Sequence, residues 1–516
     1  MRGTAMSRLL AGLAAGTALT CPTFAQQVTE GEDPIARGEY LAQVGGCTHC
    51  HTGDEGPGAY AGGVELDTPF GTLVGPNITP DPETGIGDWT EADFEAALRQ
   101  GQRKEGGPLY PAMPYNHYTK LSDDDISDLW SYFRSIEPIA HEVQVIQLPF
   151  PFNVRRGVAA WQALYFEPGR FEPDSERDDQ YNRGKFLAEA LAHCQSCHTP
   201  RNAIGGPITD QKYQGALVDG WYAPNISGTQ GSALEKFDEE TLTAYLANQH
   251  PDGLASFGAM YQVTKSLETA REEDVRAIAA YIMQRQDEDE PRQPPRMEDI
   301  PDDVIASGEA VYVGNCLSCH GEDGMGGENA ARLVNNGGVT AKSPTNVVNV
   351  LLQGIVARNE WGPMPSFAEV LSDQEIADVT NYVRRSWGNK GADGATANLV
   401  EELRPGAEIE PSLELTTNCP APGNVEIPVG IENQVADLSG QTVEAEQLTP
   451  IVSGFASAMP EVGYSETLTA LTSSYCQALA SEEPEVNKSV FLERQLSFMN
   501  AVDDALREAG VSTSTE

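Results

Sequence analysis

Cys47-Thr48-His49-Cys50-His51 is the stretch that decides the fold, because it occurs three times. It returns as Cys194-Gln195-Ser196-Cys197-His198 and as Cys316-Leu317-Ser318-Cys319-His320. Each copy is C-x-x-C-H. Two thiols on one helical turn can form thioethers with the two vinyl groups of one haem, and the next residue, His, is then placed under the iron. A zinc site would need the six cysteines to pair into shared sites, and neither zinc nor a redox dithiol explains a His directly after every pair. The expectation is three haem c groups, each with its iron. Cys47, Cys50, Cys194, Cys197, Cys316 and Cys319 attach them, and His51, His198 and His320 are the proximal ligands.

The flanking sequence repeats as well. A helix precedes each motif and carries a Gly and an aromatic: Gly38 and Tyr40, Gly184 and Phe186, Gly308 and Tyr312. A second helix follows, with apolar residues three apart: Ile126, Leu129, Tyr132; Val275, Ile278, Tyr281; Ile376, Val379, Tyr382. Acids crowd its first turn, as the helix dipole favours. A small Gly on one helix would let an aromatic from the other come close. Each unit therefore reads as two crossed helices around a haem motif, which resembles the cytochrome c fold. The expected architecture is mainly α, with three tandem haem domains at 33–150, 178–283 and 304–390. Linkers occupy 151–177 and 284–303, and a C-terminal extension of uncertain fold occupies 391–516.

Iron also needs a ligand on its other face, and a thioether suits an electron carrier. Met113 and Met260 each lie 62 residues beyond their motif His, and Met364 lies 44 beyond His320. Met113 and Met364 are each followed by Pro, which keeps the preceding residue extended. Met325 is too near His320, Met283 reads as helix core, and Met459 and Met499 fall outside the units. Among histidines, His49 and His193 are tied to their own motifs and His141 lies past its unit's second helix. His117 is the serious rival to Met113, and His250 a weaker one to Met260. The expected distal ligands are Met113, Met260 and Met364.

The chain has 516 residues with a formal charge of −44, 50 Gly and 34 Pro. Arg2 and Arg8, the apolar run Leu9 to Leu19 and Thr23-Phe24-Ala25 read as a signal peptide cleaved after Ala25, and Thr20 disfavours a lipid anchor on Cys21. Loss of residues 1–25 moves the charge to −46. Such a surface repels nucleic acid and steers toward a basic partner. No later stretch approaches a membrane span. Cys419 and Cys476 are candidates for one disulfide. In the extension, 465–481 and 487–509 read as helices, while the part before them reads as strands or irregular structure.

Longer strings resemble the tri-haem cytochrome c subunits of bacterial membrane-associated dehydrogenases, those acting on alcohols, gluconate, sorbitol or fructose. These are Thr68-Pro69-Phe70-Gly71, Asn77-Ile78-Thr79-Pro80-Asp81, Thr84-Gly85-Ile86-Gly87-Asp88-Trp89 and Leu109-Tyr110-Pro111-Ala112-Met113-Pro114-Tyr115. Leu148-Pro149-Phe150-Pro151-Phe152-Asn153, Trp161 and Cys197-His198-Thr199-Pro200-Arg201 continue the match, which covers about 33–390. Pro76-Asn77-Ile78 returns as Pro224-Asn225-Ile226, read as a structural loop near the haem and absent from the third unit. The resemblance implies a non-catalytic relay subunit. Its partner would be a flavin, quinoprotein or molybdenum dehydrogenase, its acceptor ubiquinone or another respiratory carrier. Its place would be the periplasm, with peripheral association on the outer face of the cytoplasmic membrane. No flavin or nicotinamide fingerprint occurs. The rivals are an enzyme with one open haem, of peroxidase or thiosulfate dehydrogenase type, and a free electron-storage cytochrome.

Overall fold

A computed structural model describes residues 33–53, 56–228, 232–285, 296–327, 330–355, 364–407, 425, 427–441, 443, 445–460, 462–482 and 488–509. The signal segment and Cys419 lie outside these residues; Cys476 is disulfide-bonded.

One crossed helix pair recurs three times. Pro34–Val44 packs on Asp123–Ser135, Asp179–Phe186 on Glu272–Gln284, and Asp302–Asn315 on Asp373–Arg385. The second helix starts where its caps dictate. Ser122 with Asp125, and Ser372 with Glu375, form capping boxes at two of the three. Each pair crosses at its Gly. A methyl at Gly38 would overlap the Asp128 carbonyl and lie 2.7 Å from Tyr132 Cβ. At Gly184 it would overlap the Ala277 carbonyl and lie 2.7 Å from Tyr281 Cβ, and at Gly308 the Asp378 carbonyl and 2.8 Å from Tyr382 Cβ. The close approach expected from the repeat is therefore present in all three units, against the expected aromatic each time.

The first two units carry an antiparallel hairpin after the motif, Glu65–Thr68 with Gly71–Val74 and Ala216–Val218 with Trp221–Ala223. Ile146–Gln147 adds a short third strand to the first. The two units share one apolar core, which runs from Leu41 and Phe133 through Leu187 and Leu191 to Ile278 and Ile282. Segment 151–177 is not a featureless linker, since it forms the helix Arg155–Tyr165. The third unit has its own core, to which Ala395 and Val400 contribute, so packing continues past residue 390 into the helix Ala397–Leu403. Within the 284–303 linker, Glu298 lies along this unit, its N–H donating to Ala392 O at 2.9 Å.

The extension forms the helices Val429–Ala436, Ala445–Ala458, Tyr464–Glu482 and Lys488–Glu508 around a separate core. The last two match expectation. The described part before them is helical, with no strand among the described residues, which corrects the reading of strands or irregular structure. Leu448, Val452 and Phe455 are fully buried at helical spacing, and Val435 is fully buried in the helix before them. That stripe outweighs the β preference of Val and the presence of Pro450 inside a helix. Lys488–Glu508 also packs on Asp302–Asn315 and on the motif helix Leu317–His320.

Polar contacts lock units one and two together. Tyr40 donates to Asp274 at 2.5 Å, and Asp274 also takes a two-pronged contact from Arg183. Glu189 is 6 % exposed and accepts from Lys120, Lys212 and the Tyr281 hydroxyl. Burial opposes its charge, but Lys212, Lys120 and these hydrogen bonds outweigh burial and hold its carboxyl down at about 2. His117 is buried with Nδ1 at 2.9 Å from Glu189 O. Burial, reinforced by His193, pushes it down to about 3. Both groups have depressed folded values, so their stabilisation is full above the unfolded values and lost on acidification. We expect stability to fall from pH 6.5 toward 3 through His117, and from 4.5 toward 2 through Glu189. Urea midpoints across this range check it; His117→Gln, which keeps a donor for Glu189 O, should flatten the upper window.

Candidate haem-binding sites

The C-x-x-C-H residues lie in Cys47–His51, Gln195–His198 and Leu317–His320, each a single helical turn, with Cys194 and Cys316 as the capping residues of the latter two. One turn brings both thiols and the imidazole of a motif together. Cys47, Cys50, Cys194, Cys197 and Cys316 are not in disulfides. Burial pushes Cys47, Cys194 and Cys316 up to about 12 and Cys50 up to about 11. A redox dithiol needs the reverse, a stabilised thiolate. No group of three or more His, Cys, Asp or Glu able to hold a metal ion occurs among the described residues.

Each motif His is buried and fixed by one carbonyl. Nδ1 lies 2.7 Å from Pro76 O in His51, 2.7 Å from Pro224 O in His198 and 3.0 Å from Ala331 O in His320. A carbonyl accepts only, so Nδ1 carries the proton and Nε2 is the basic, metal-binding nitrogen. Burial lowers all three imidazoles, which keeps them neutral. A neutral imidazole of fixed tautomer, two thiols on the same turn and a thioether from elsewhere in the unit are the donors that an attached haem requires, so the residues fit the group.

The loops that supply these carbonyls are built for the task. Asn77 is 4 % exposed. It donates to Ile139 O and Thr84 Oγ1 and accepts from the Thr79 N–H and hydroxyl. Asn225 accepts from the Ser227 N–H and hydroxyl in the same way. The Pro-Asn-Ile repeat was visible in the sequence, but its service to the His was not. A signal existed, since Pro76 and Pro224 follow their His by 25 and 26 residues. Ala331 had none, because the third unit reaches its carbonyl only 11 residues on.

Met113 and Met260 are half-buried against the shared core, and Met364 against the third. Their backbones differ. Met113 sits in a turn, its N–H donating to Tyr110 O at 3.1 Å, and Met364 pairs with Ile355 through two 2.8 Å bonds. Met260 lies in the first turn of Ala259–Leu267. Pro114 and Pro365 bar helix at the first two, whereas Tyr261 permits it. Of the rival histidines, His117 has Nδ1 at Glu189 O, as the motif histidines have theirs at carbonyls, and His250 has Nε2 at 3.2 Å from Asn248 Oδ1.

Units one and two meet at the first motif. His49 Nε2 is 2.8 Å from Ser266 Oγ. The hairpin that ends at Trp221–Ala223 reaches the third unit. Asn346 accepts from the Tyr222 N–H and donates to Tyr222 O, both at 2.8 Å, and Asn349 donates to Gly220 O.

Comparison with known proteins agrees with this geometry. Residues 35–137 and 181–286 match the family model "Cytochrome c", and 303–383 match "Cytochrome C oxidase, cbb3-type, subunit III". The chain is 39 % identical over 381 residues to one of the subunits of nicotinate dehydrogenase from Pseudomonas putida, covering 72 % of this chain and 32 % of that protein. It thus spans about a third of that relative's length. It is 35 % identical over 425 residues to the cytochrome c subunit of the quinone alcohol dehydrogenase of Gluconacetobacter polyoxogenes (76 % of this chain, 87 % of the relative). It is 34 % identical over 394 residues to the gluconate 2-dehydrogenase cytochrome c subunit of Pantoea cypripedii (72 % and 89 %). Three helix pairs crossed at glycine, three carbonyl-fixed histidines and relatives matched over most of their own length place this mainly α chain in the family of cytochrome c subunits of bacterial dehydrogenases.

Proposed function

We propose that the chain is the electron-transfer subunit of a dehydrogenase complex and carries three haem c groups. The observation that carries this is the threefold recurrence of a buried His, fixed at Nδ1 by a carbonyl on the same turn as the motif cysteines. Bound haem supplies the one-electron Fe(III)/Fe(II) couple. The chain's residues do the rest. Cys47, Cys50, Cys194, Cys197, Cys316 and Cys319 anchor; His51, His198 and His320 ligate on one side, and Met113, Met260 and Met364 on the other. The domains are those read from the sequence, 33–150, 178–283 and 304–390. The contact of His49 with Ser266 supports direct exchange between the first two units, and the 216–223 hairpin supports a link to the third. Electrons enter from a catalytic subunit of flavin, quinoprotein or molybdenum type and leave to ubiquinone or another respiratory carrier, in the periplasm.

The test is spectroscopic. A pyridine haemochrome assay on the full chain should give three haems. Met113→Ala, Met260→Ala and Met364→Ala should each remove about a third of the Met–Fe(III) absorption and turn one haem high-spin. Met113→Ala with an undiminished band would assign that position to His117 instead. A haem already high-spin in the unmodified protein would turn the reading toward an enzyme with an open site.

A further inference from the structure

The surface has one region whose chemistry opposes the rest. Although 77 of the 516 residues are acids, none falls between Glu142 and Glu167, a stretch that holds Arg155 and Arg156, and none between Glu189 and Asp210, which holds Arg201. The two stretches meet in space. Trp161 Nε1 donates to Ile204 O at 3.1 Å, Asn202 donates to the Tyr165 hydroxyl at 3.0 Å, and the Tyr165 ring packs over Gly206. Phe70 joins them, its ring 5.0 Å from that of Phe152 and its edge facing Gly205.

On this acid-poor face Phe150 is 81 % exposed, Leu164 70 % and Ile204 55 %, with Phe152 and Val154 at 44 % each. Single exposed apolar side chains are ordinary, but a contiguous set rimmed by polar residues marks an interaction surface. The set is held firmly, so its exposure is not a loose loop. Tyr110 donates to Phe152 O at 2.8 Å, Arg155 donates to Pro108 O at 2.8 Å, and its guanidinium lies 4.8 Å over the Tyr110 ring. Arg156 is exposed beside it.

We propose that this face, Phe150 to Phe152 with Leu164, Ile204 and Arg156, seats the protein on an anionic lipid surface. Charge complementarity selects the occupant. A chain of net charge −44 is repelled by anionic lipid over most of its surface. A face poor in carboxylates approaches most easily, and this one, where Glu105 is the acid that acts on Arg155, adds arginines to meet lipid phosphates and aromatic and aliphatic side chains to enter the headgroup boundary. Among the described residues no helix is long and apolar enough to cross a membrane, so such seating is peripheral. The face adjoins the Met113 loop through Tyr110, which brings the first unit's proposed distal side toward a lipid-dissolved acceptor. That last point rests on the proposed function; the lipid contact itself does not.

The experiment is co-sedimentation of the full, haem-loaded chain with extruded vesicles, of phosphatidylglycerol or of phosphatidylcholine alone. The wild type should sediment with phosphatidylglycerol vesicles and be released by salt, and bind phosphatidylcholine vesicles more weakly. Phe150→Asp with Leu164→Asp should weaken binding to both by about tenfold or more. Arg156→Glu should weaken only the phosphatidylglycerol arm. An unchanged haem spectrum and melting curve verify that the variants are folded. Absence of wild-type binding to phosphatidylglycerol vesicles, or equal binding by the Phe150/Leu164 variant, overturns the proposal. So does a result in which that variant loses a purified dehydrogenase subunit but keeps the vesicles. None of these depends on electron transfer, so failure here leaves the proposed function standing.

Discussion

Gly184→Ala is expected to destabilise the paired first and second units by more than about 4 kcal/mol, the range reserved for overpacking that the core cannot relieve. The added methyl would overlap the Ala277 carbonyl oxygen and crowd Tyr281 Cβ at 2.7 Å. Neither can retreat. Ala277, Ala279, Ala280 and Tyr281 are at most 2 % exposed in a core shared with unit one. Moving Glu272–Gln284 outward would also pull Asp274 from Arg183 and Tyr40, and Tyr281 from Glu189. Unfolding by urea, followed by near-ultraviolet circular dichroism, measures the loss. Gly38→Ala and Gly308→Ala should err in the same direction, since each faces a helix carbonyl in the same way. Gly157→Ala is the control. It lies in the exposed helix Arg155–Tyr165 with nothing within 4 Å, and should stabilise by about 0.5–1 kcal/mol. A Gly184→Ala protein as stable as wild type would show that the helices cross elsewhere.

That prediction was half legible in the sequence. The Gly before each motif and the Tyr of each second helix could be paired on paper, because a repeat exposes what a single copy hides. What the pairing could not supply is that the colliding atom is a backbone carbonyl, which makes the glycine irreplaceable even by Ala. The motif turns were legible for the same reason of repetition. The shared core of units one and two was not legible. Leu187 and Leu191 read equally well as the interior of one small domain, and only the fold shows Leu191 beside Gly45 of the other unit. The acid-poor face was hidden too, because its two stretches are separated by more than twenty residues and join only when Trp161 meets Ile204. In the extension, Val and Pro misled the reading toward strands, since composition is weaker than the helical stripe of Leu448, Val452 and Phe455.

Asn77→Ala should cost about 2–4 kcal/mol and raise the midpoint potential of one haem out of three. The stability loss follows from counting: the side chain makes two good donations, to Ile139 O at 2.7 Å and Thr84 Oγ1 at 3.0 Å, and two acceptances from Thr79, each worth roughly 1 kcal/mol when buried. The potential follows from position. These bonds pin the turn whose Pro76 O receives the Nδ1–H of His51 at 2.7 Å. Such a bond makes the imidazole a stronger donor and favours Fe(III), so loosening the turn weakens the bond and favours Fe(II). Spectroelectrochemical titration of the full chain should therefore show one component moved upward and two unmoved. The third unit supplies an internal reference, because His320 depends on Ala331 O and on no Asn turn of this kind. Asn225→Ala should move a different component, since the matching turn at Ser227 serves His198 through Pro224 O. If Asn77→Ala melts earlier while all three midpoints stay put, Asn77 only braces the loop, and the carbonyl is held to His51 by the backbone alone.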